Sequence, residues 1–125
     1  MGLAITTALV IYPSFTRVGE GEWVRFHHHH TRAISLAVGP AWLAQAGGLL
    51  WWVFAQGHVT WTWVLCGSCA LAAVMVTVVS AVGRHNALAH TFHRDVHRGL
   101  LVAHWVRTAL WCVGAGVATA ALMHH

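Results

Sequence analysis

Four long apolar segments, separated by polar connections, dominate the pattern of this chain. They cover about residues 2–15, 33–55, 59–82 and 100–123. A helix that crosses a bilayer needs about 20 apolar residues. The last three segments are therefore long enough, whereas the first requires local thinning of the bilayer. The pattern predicts an all-α fold, a four-helix transmembrane bundle that forms a single domain over 1–125.

The arginines predict how this bundle is oriented. Four spans leave the first and third connections on one side of the membrane and the second on the other. All seven arginines lie in or beside the first and third connections. Positive residues concentrate on the cytoplasmic side of membrane proteins. Both termini are therefore predicted on the outer side, with His-rich helical extensions on the cytoplasmic side. No cleavable signal peptide is expected, and the expected location is a bacterial inner membrane.

The composition supports a membrane protein and gives no indication of nucleic-acid binding. The chain is 58% hydrophobic and 8% charged, which is too apolar for a soluble domain of this size. Its positive charge comes from arginines beside the spans and not from a nucleic-acid-binding motif. The expected partners are the lipid bilayer and small molecules. Small residues in the last span, such as Gly114 and Gly116, would also allow a homo-oligomer.

The cysteines are interpreted as small apolar residues. Cys66 and Cys69 form a C-x-x-C pair inside one apolar segment, and Cys112 lies in another. A buried free cysteine usually behaves as a small hydrophobic side chain. A membrane thiol oxidase would need a second cysteine pair in a loop, which the sequence lacks. A redox role for Cys66 and Cys69 is left open.

Twelve histidines are the main candidates for chemistry. Only His58, His124 and His125 fall on the predicted outer side, which leaves nine in or near the cytoplasmic connections. These points are neighbours in a small antiparallel bundle, so several helices can direct imidazoles into one cavity. Neutral imidazole is a common ligand of transition metals. An amphipathic helix, whose imidazoles meet water and lipid headgroups, is the alternative.

The stretch Gly83–Trp111 is predicted to be one continuous helix that passes from polar to apolar. At about 100° per residue, one face carries five side chains within ~40° of a common line. They are His90, His93, His97, His104 and Trp111. Arg107, inside the last span, is costly in a bilayer unless it faces the bundle and finds a partner, so it is a functional candidate. Snorkelling to headgroups is the alternative. Gln45, near the middle of the second span, should point into the bundle for the same reason.

Five short motifs occur in an order and spacing that resemble a known family. They are Val10-Ile11-Tyr12-Pro13, Phe26-His27-x-x-His30-Thr31-Arg32, His85 after the third span, Val96-His97-Arg98-x-Leu100, and His104-Trp105-Val106-Arg107-Thr108-Ala109-Leu110-Trp111. Together they resemble the anthrone oxygenases, small four-span membrane proteins. Some members oxidise anthrones to anthraquinones with dioxygen in polyketide biosynthesis. The chain departs from that pattern in having His104 where asparagine often stands, and in four additional histidines, His28, His29, His90 and His93.

The resemblance implies a four-helix membrane fold and oxidation of an apolar polycyclic phenol such as an anthrone. Combined with the convergence of histidines on one side of the membrane, it leads to the hypothesis of a metal-dependent membrane oxygenase. Its iron or copper ion would be bound by His27, His30, His85 and His104. His93 and His97 would be alternative ligands or would hydrogen-bond to the ligands. A neutral histidine, with His97 as candidate, would remove the acidic proton of the substrate, and Arg107 would stabilise the phenolate. Tyr12 would assist catalysis. The substrate would lie against Gln45, Trp105 and Trp111.

Three other interpretations fit the same residues. The strongest is a protein that stores, senses or transports a transition metal, since so many histidines gather on one side. The next is a haem b or quinone redox protein, since His90 and His104 are fourteen residues apart. Haem itself is not expected, because the third span has no histidine in its interior to pair with one on another span. A purely structural subunit, in which Arg107 only holds helices together, is the least specific interpretation.

Overall fold

The computed structural model describes residues 2–123, which form four helical runs. Run α1 consists of Gly2–Thr6, a π-helical turn Thr7–Ile11, Tyr12–Ser14 and a 3-10 turn Phe15–Arg17. Helix α2 is Glu20–Gln56, α3 is Trp61–Ala87 with a π-helical stretch Thr77–Val82, and α4 is Arg94–Met123. The described residues contain no strand, so the predicted all-α class is confirmed. His124 and His125, predicted on the outer side, lie outside the described residues.

Helices α2, α3 and α4 are each long and apolar enough to cross a membrane. Their outward faces carry large apolar side chains, and Leu43, Phe54, Trp61 and Val79 are 73–79% exposed. Such a continuous apolar surface is unfavourable in water and suits contact with lipid. Run α1 is about 24 Å long at 1.5 Å per residue, which is less than the ~30 Å hydrocarbon core.

Local sequence sets the turn between α2 and α3. Helix α2 ends at Gly57, whose φ of 69° is a left-handed conformation that glycine adopts without a Cβ clash. The N–H of Gly57 bonds to the Val53 carbonyl at 2.9 Å. Thr60 Oγ1 then accepts the N–H of Trp63 at 3.1 Å and caps the start of α3. The chain therefore reverses direction within a few residues.

Hydrogen bonds between helices fix an antiparallel order of neighbours. Trp63 Nε1 donates to the Leu49 carbonyl at 2.8 Å near this turn, and Trp23 Nε1 donates to the Leu88 carbonyl at 2.7 Å at the other end of the pair. Helices α3 and α4 form the most extensive pair. They approach so closely that a Cβ added at Gly114 would lie 3.3 Å from Cys69 Cβ. Small residues allow this approach.

The best-buried core lies where α1 ends, α2 begins, α3 ends and α4 begins. Its largest members are Tyr12, Phe15, Trp23, Leu88 and Leu100, each at most 2% exposed. We call this part of the molecule the histidine-rich end, because it also contains His27, His30, His85 and His97. Dense aromatic packing there holds the neighbouring imidazoles in place.

The predicted continuous helix Gly83–Trp111 is wrong. Helix α3 ends at Ala87, and residues 88–93 form a connection before α4 begins. The chain turns inward at Leu88, whose side chain is fully buried, so the helical path cannot continue outward. His90 and His93 are exposed in this connection and do not share a helical face with the histidines of α4.

The helices extend beyond the predicted apolar segments. Helix α2 begins at Glu20, ahead of the apolar segment that starts near 33, α3 continues to Ala87, and α4 begins at Arg94, ahead of the segment that starts near 100. These parts correspond to the helical extensions that the sequence predicts. Hydropathy marks only where a helix is apolar, whereas polar residues continue the same backbone hydrogen bonds. These polar extensions carry half of the histidines and most of the arginines to the histidine-rich end.

Candidate active site

Three histidines from two helices meet at the histidine-rich end. His27 and His30 are buried one turn apart on α2, and His85 lies near the end of α3. His27 Nε2 and His85 Nδ1 are 3.3 Å apart, and the ring centroids of His30 and His85 are 5.9 Å apart. Nε2 of His30 is buried without a hydrogen-bond partner. We call these three residues the histidine cluster.

Tyr12 connects the histidine cluster to α4. Its side chain is 2% exposed, and its hydroxyl lies 3.5 Å from Nε2 of His85. Its ring centroid lies 5.1 Å from that of His104. Tyr12 directly follows the π-helical turn of α1 and precedes Pro13, whose ring does not fit against the preceding turn of a regular α-helix. The wider turn accommodates the proline and places Tyr12 in the centre of the site.

His104 and Arg107 form a buried pair one turn apart on α4. Nε2 of His104 lies 2.8 Å from the Ala4 carbonyl, so this nitrogen carries the proton and donates it. Nδ1 then accepts a hydrogen bond from Arg107 Nη2 at 3.0 Å. Both ring nitrogens of His104 are therefore engaged, and it could bind a metal only after losing one of these hydrogen bonds.

Arg107 is 8% exposed, and no carboxylate pairs with it in the described part of the chain. Its Nη1 donates to Thr77 Oγ1 at 3.1 Å, at the start of the π-helical stretch of α3, while its Nε has no partner. A buried charge without a counter-charge is costly. The surroundings of Arg107 therefore favour a bound anion.

A cavity of about 740 Å³ opens between the four helices next to this pair. Its polar lining towards the histidine-rich end includes Tyr12, His85, His104 and Arg107. The remaining wall is mainly apolar and includes two of the predicted substrate-binding residues, Gln45 and Trp111. Cavities of this size and character bind drug-sized apolar ligands.

Other predicted residues lie away from the cavity. His97 is buried, but its Nε2 lies 2.9 Å from the Tyr12 carbonyl and its ring stacks on Phe15. Trp105 is 47% exposed on the outer side of α4, and His93 is exposed in the connection. None of these three lines the cavity.

The histidine cluster is the part of the site that resembles a metal centre. Within residues 2–123, no group of three or more His, Cys, Asp or Glu side chains stands in position to hold an ion. The 3.3 Å between His27 Nε2 and His85 Nδ1 nevertheless matches two ligands of one ion, which lie about 3.4 Å apart at tetrahedral angles and metal–nitrogen distances of ~2.1 Å. The unpartnered Nε2 of His30 is a third donor. The three imidazoles are not arranged around one point in this structure, and a shared metal ion would require His30 to turn towards the other two.

Three contributors to the site are absent from the sequence-based prediction. The Ala4 carbonyl acts through the backbone and has no side-chain signal. Thr77 carries a hydroxyl inside an apolar segment, and a single threonine there is only a weak indication of a functional residue. Trp42 lines the cavity with a buried indole N–H that has no partner, but in sequence it is one of many tryptophans.

No protein-family model, curated protein or solved structure matches this chain. The resemblance to the anthrone oxygenases therefore stays an expectation, and function has to be inferred from the cavity and the side chains around it.

Proposed function

We propose that this protein is a four-span membrane oxygenase that oxidises an anthrone-like polycyclic phenol to a quinone with dioxygen. The site would lie near the cytoplasmic face of a bacterial inner membrane, with both termini outside. Apolar helices and the arginines near one end of the bundle support this placement. The observation that carries the proposal is Arg107, a buried guanidinium without a carboxylate partner, in the wall of an apolar cavity.

The substrate would reach the cavity through the bilayer. Ala41, Gln45 and Gly48 of α2 line the cavity and are exposed, so the cavity is open along this side of α2. A lipid-soluble aromatic molecule can therefore pass between helices without entering water. Trp52 and Trp111 provide aromatic surface for a flat ligand.

His85 is the residue in the cavity wall best placed to accept a proton. Its Nδ1 faces His27 Nε2 at 3.3 Å, and in the tautomer with a hydrogen on Nδ1 the basic nitrogen is Nε2, whose contact with Tyr12 is long at 3.5 Å. That nitrogen faces the Tyr12 hydroxyl. An imidazole whose second nitrogen is held by a partner is a typical general base. His85 takes this role in place of His97, because Nε2 of His97 is engaged by the Tyr12 carbonyl.

The reaction then follows from the chemistry of an anthrone. His85 Nε2 removes a proton from the central methylene, and the electron pair delocalises to the carbonyl oxygen as a phenolate, which Arg107 stabilises. The deprotonated carbon gives its electrons to dioxygen, a C–O bond forms, and the proton returns from His85 to the peroxide oxygen. Breaking the remaining C–H and the O–O bond releases water and leaves the second carbonyl. Anthrone and one dioxygen thus yield anthraquinone and one water.

The second candidate function is binding of a transition metal by the histidine cluster, favoured by the 3.3 Å spacing and the free Nε2 of His30. His27, His30 and His85 would hold the ion. Iron or copper there would supply electron transfer to dioxygen, or the metal would itself be the cargo of a storage or transport protein. His85 could not then serve as the free base, so metal content separates the two functions.

Oxygen uptake tests the proposal directly. Purified protein in lipid vesicles is supplied with anthrone, and dioxygen consumption is followed together with quinone absorbance. We expect one dioxygen per quinone, at a rate well above that of protein-free vesicles. A rate equal to the vesicle blank contradicts the oxygenase. Many exchangeable metal ions per chain, without anthrone turnover, would identify a metal-handling protein.

A further inference from the structure

The cavity wall contains a second unpartnered donor on a different helix from Arg107. Trp42 lies on α2 and lines the cavity, and its Nε1 is buried with no hydrogen-bond partner among residues 2–123. An indole N–H can only donate, so only an acceptor can satisfy it. The indoles of Trp23 and Trp63, by contrast, donate to backbone carbonyls at 2.7 and 2.8 Å. An unpaired N–H in a ligand-sized cavity indicates that the ligand supplies the acceptor.

Gln45 lies three residues further along the same face of α2 and lines the same cavity. Its amide can both donate and accept. The α2 wall around this pair is apolar and includes Val38, Leu49 and Trp52. Trp42 and Gln45 therefore form a second hydrogen-bonding site in the cavity wall, separate from the group around Arg107.

We propose that the substrate carries a second oxygen, which accepts a hydrogen bond from Trp42 Nε1 while its ionised oxygen lies at Arg107. This inference rests on the proposed function and narrows its substrate class to polycyclic phenols with a further hydroxyl or carbonyl oxygen away from the ionising one. Two donors on different helices hold a flat ligand in one orientation. Trp42 is thus a positioning residue that presents the reacting carbon to His85.

Anaerobic equilibrium binding tests this inference, because without dioxygen no turnover occurs. The two probes are anthrone and a monohydroxy-anthrone whose hydroxyl lies on the ring edge remote from the carbonyl. Wild-type protein should bind the hydroxylated probe about tenfold more tightly. Trp42→Phe removes the N–H and keeps an aromatic ring, so it should abolish the difference in affinity between the two probes. Trp52→Phe, in the same cavity, should preserve the difference between the probes.

Each result decides the matter. Equal affinity of wild-type protein for both probes, or a preference that survives Trp42→Phe, overturns the inference and leaves the oxygenase proposal standing. A preference lost in Trp42→Phe, in a protein that consumes no dioxygen, supports the binding site and contradicts the oxygenase. Failure of wild-type protein to bind either probe overturns both.

Discussion

Arg107 and His104 are joined by a 3.0 Å hydrogen bond between Nη2 and Nδ1, while the other nitrogen of His104 donates to the Ala4 carbonyl. Arg107 also donates to Thr77. This chain of hydrogen bonds ties α1, α3 and α4 together and fixes the guanidinium in the wall of the cavity. A structural role and a catalytic role for Arg107 therefore make different predictions.

Removing the charge of Arg107 should slow the reaction more than it destabilises the fold. Arg107→Gln keeps a polar side chain but cannot stabilise a phenolate, and kcat/KM should fall about 10²–10³-fold. Arg98→Gln is the control. Arg98 is exposed, and its ion pair with Asp95 is long at 3.8 Å and also exposed. Anthrone turnover in vesicles measures both variants. Retention of wild-type kcat/KM in Arg107→Gln would leave the arginine with a structural role alone.

Loss of the imidazole at position 85 should remove the base. His85→Ala is expected to lower kcat by about 10²–10⁴-fold, the range of general-base contributions. Asn86→Ala, at the exposed neighbouring residue, should retain wild-type kcat. A full rate in His85→Ala, measured as quinone formed per protein, would be incompatible with proton transfer to this residue.

Substitution of His104 should affect stability. His104→Ala leaves the Ala4 carbonyl and Arg107 Nη2 without a partner in a buried site, and each unpaired group costs about 1–3 kcal/mol. The unfolding temperature in detergent, followed by circular dichroism, should fall clearly in His104→Ala and less in His104→Gln, which keeps a donor. His58→Ala, at an exposed residue, should leave it unchanged. Identical unfolding temperatures for all three variants would show that the hydrogen bonds of His104 contribute little.

The metal-binding candidate makes its own prediction. Protein loaded with ferrous or cuprous ion should lose bound metal in His30→Ala, because Nε2 of His30, which has no hydrogen-bond partner, would be one of the metal ligands. The adjacent His29 is exposed, so His29→Ala should keep the metal. Elemental analysis after gel filtration measures both. Equal metal content in wild type and His30→Ala would remove the cluster as the binding site.

Much of the fold follows from hydropathy, because long apolar helices have few alternatives in a membrane. The break at residues 88–93 does not, since it depends on a tertiary contact. The carbonyl of Leu88 accepts the indole N–H of Trp23, 65 residues earlier. The helical period alone cannot report such a contact, and the local sequence between 83 and 94 contains no proline that would end a helix.

Within the site, helical geometry explains why one predicted substrate-binding residue lines the cavity and another does not. Trp111 lies seven residues after His104, about 20° from it around the helix, and lines the same cavity. Trp105 lies one residue after His104, about 100° away, and faces outward. The hydrogen bonds of His97 and His104 to backbone carbonyls of α1 could not be predicted, because they depend on how α1 packs across α4.

The ionisation state of a bound ligand tests the central claim, that Arg107 and His85 convert a bound anthrone to its phenolate. Anthrone is added anaerobically to vesicles at neutral pH, and the absorption band of its anion is recorded. The band should appear with wild-type protein and be absent with Arg107→Gln and His85→Ala at equal ligand occupancy. A bound ligand that stays neutral in wild-type protein, or ionises equally in all three proteins, would contradict the account.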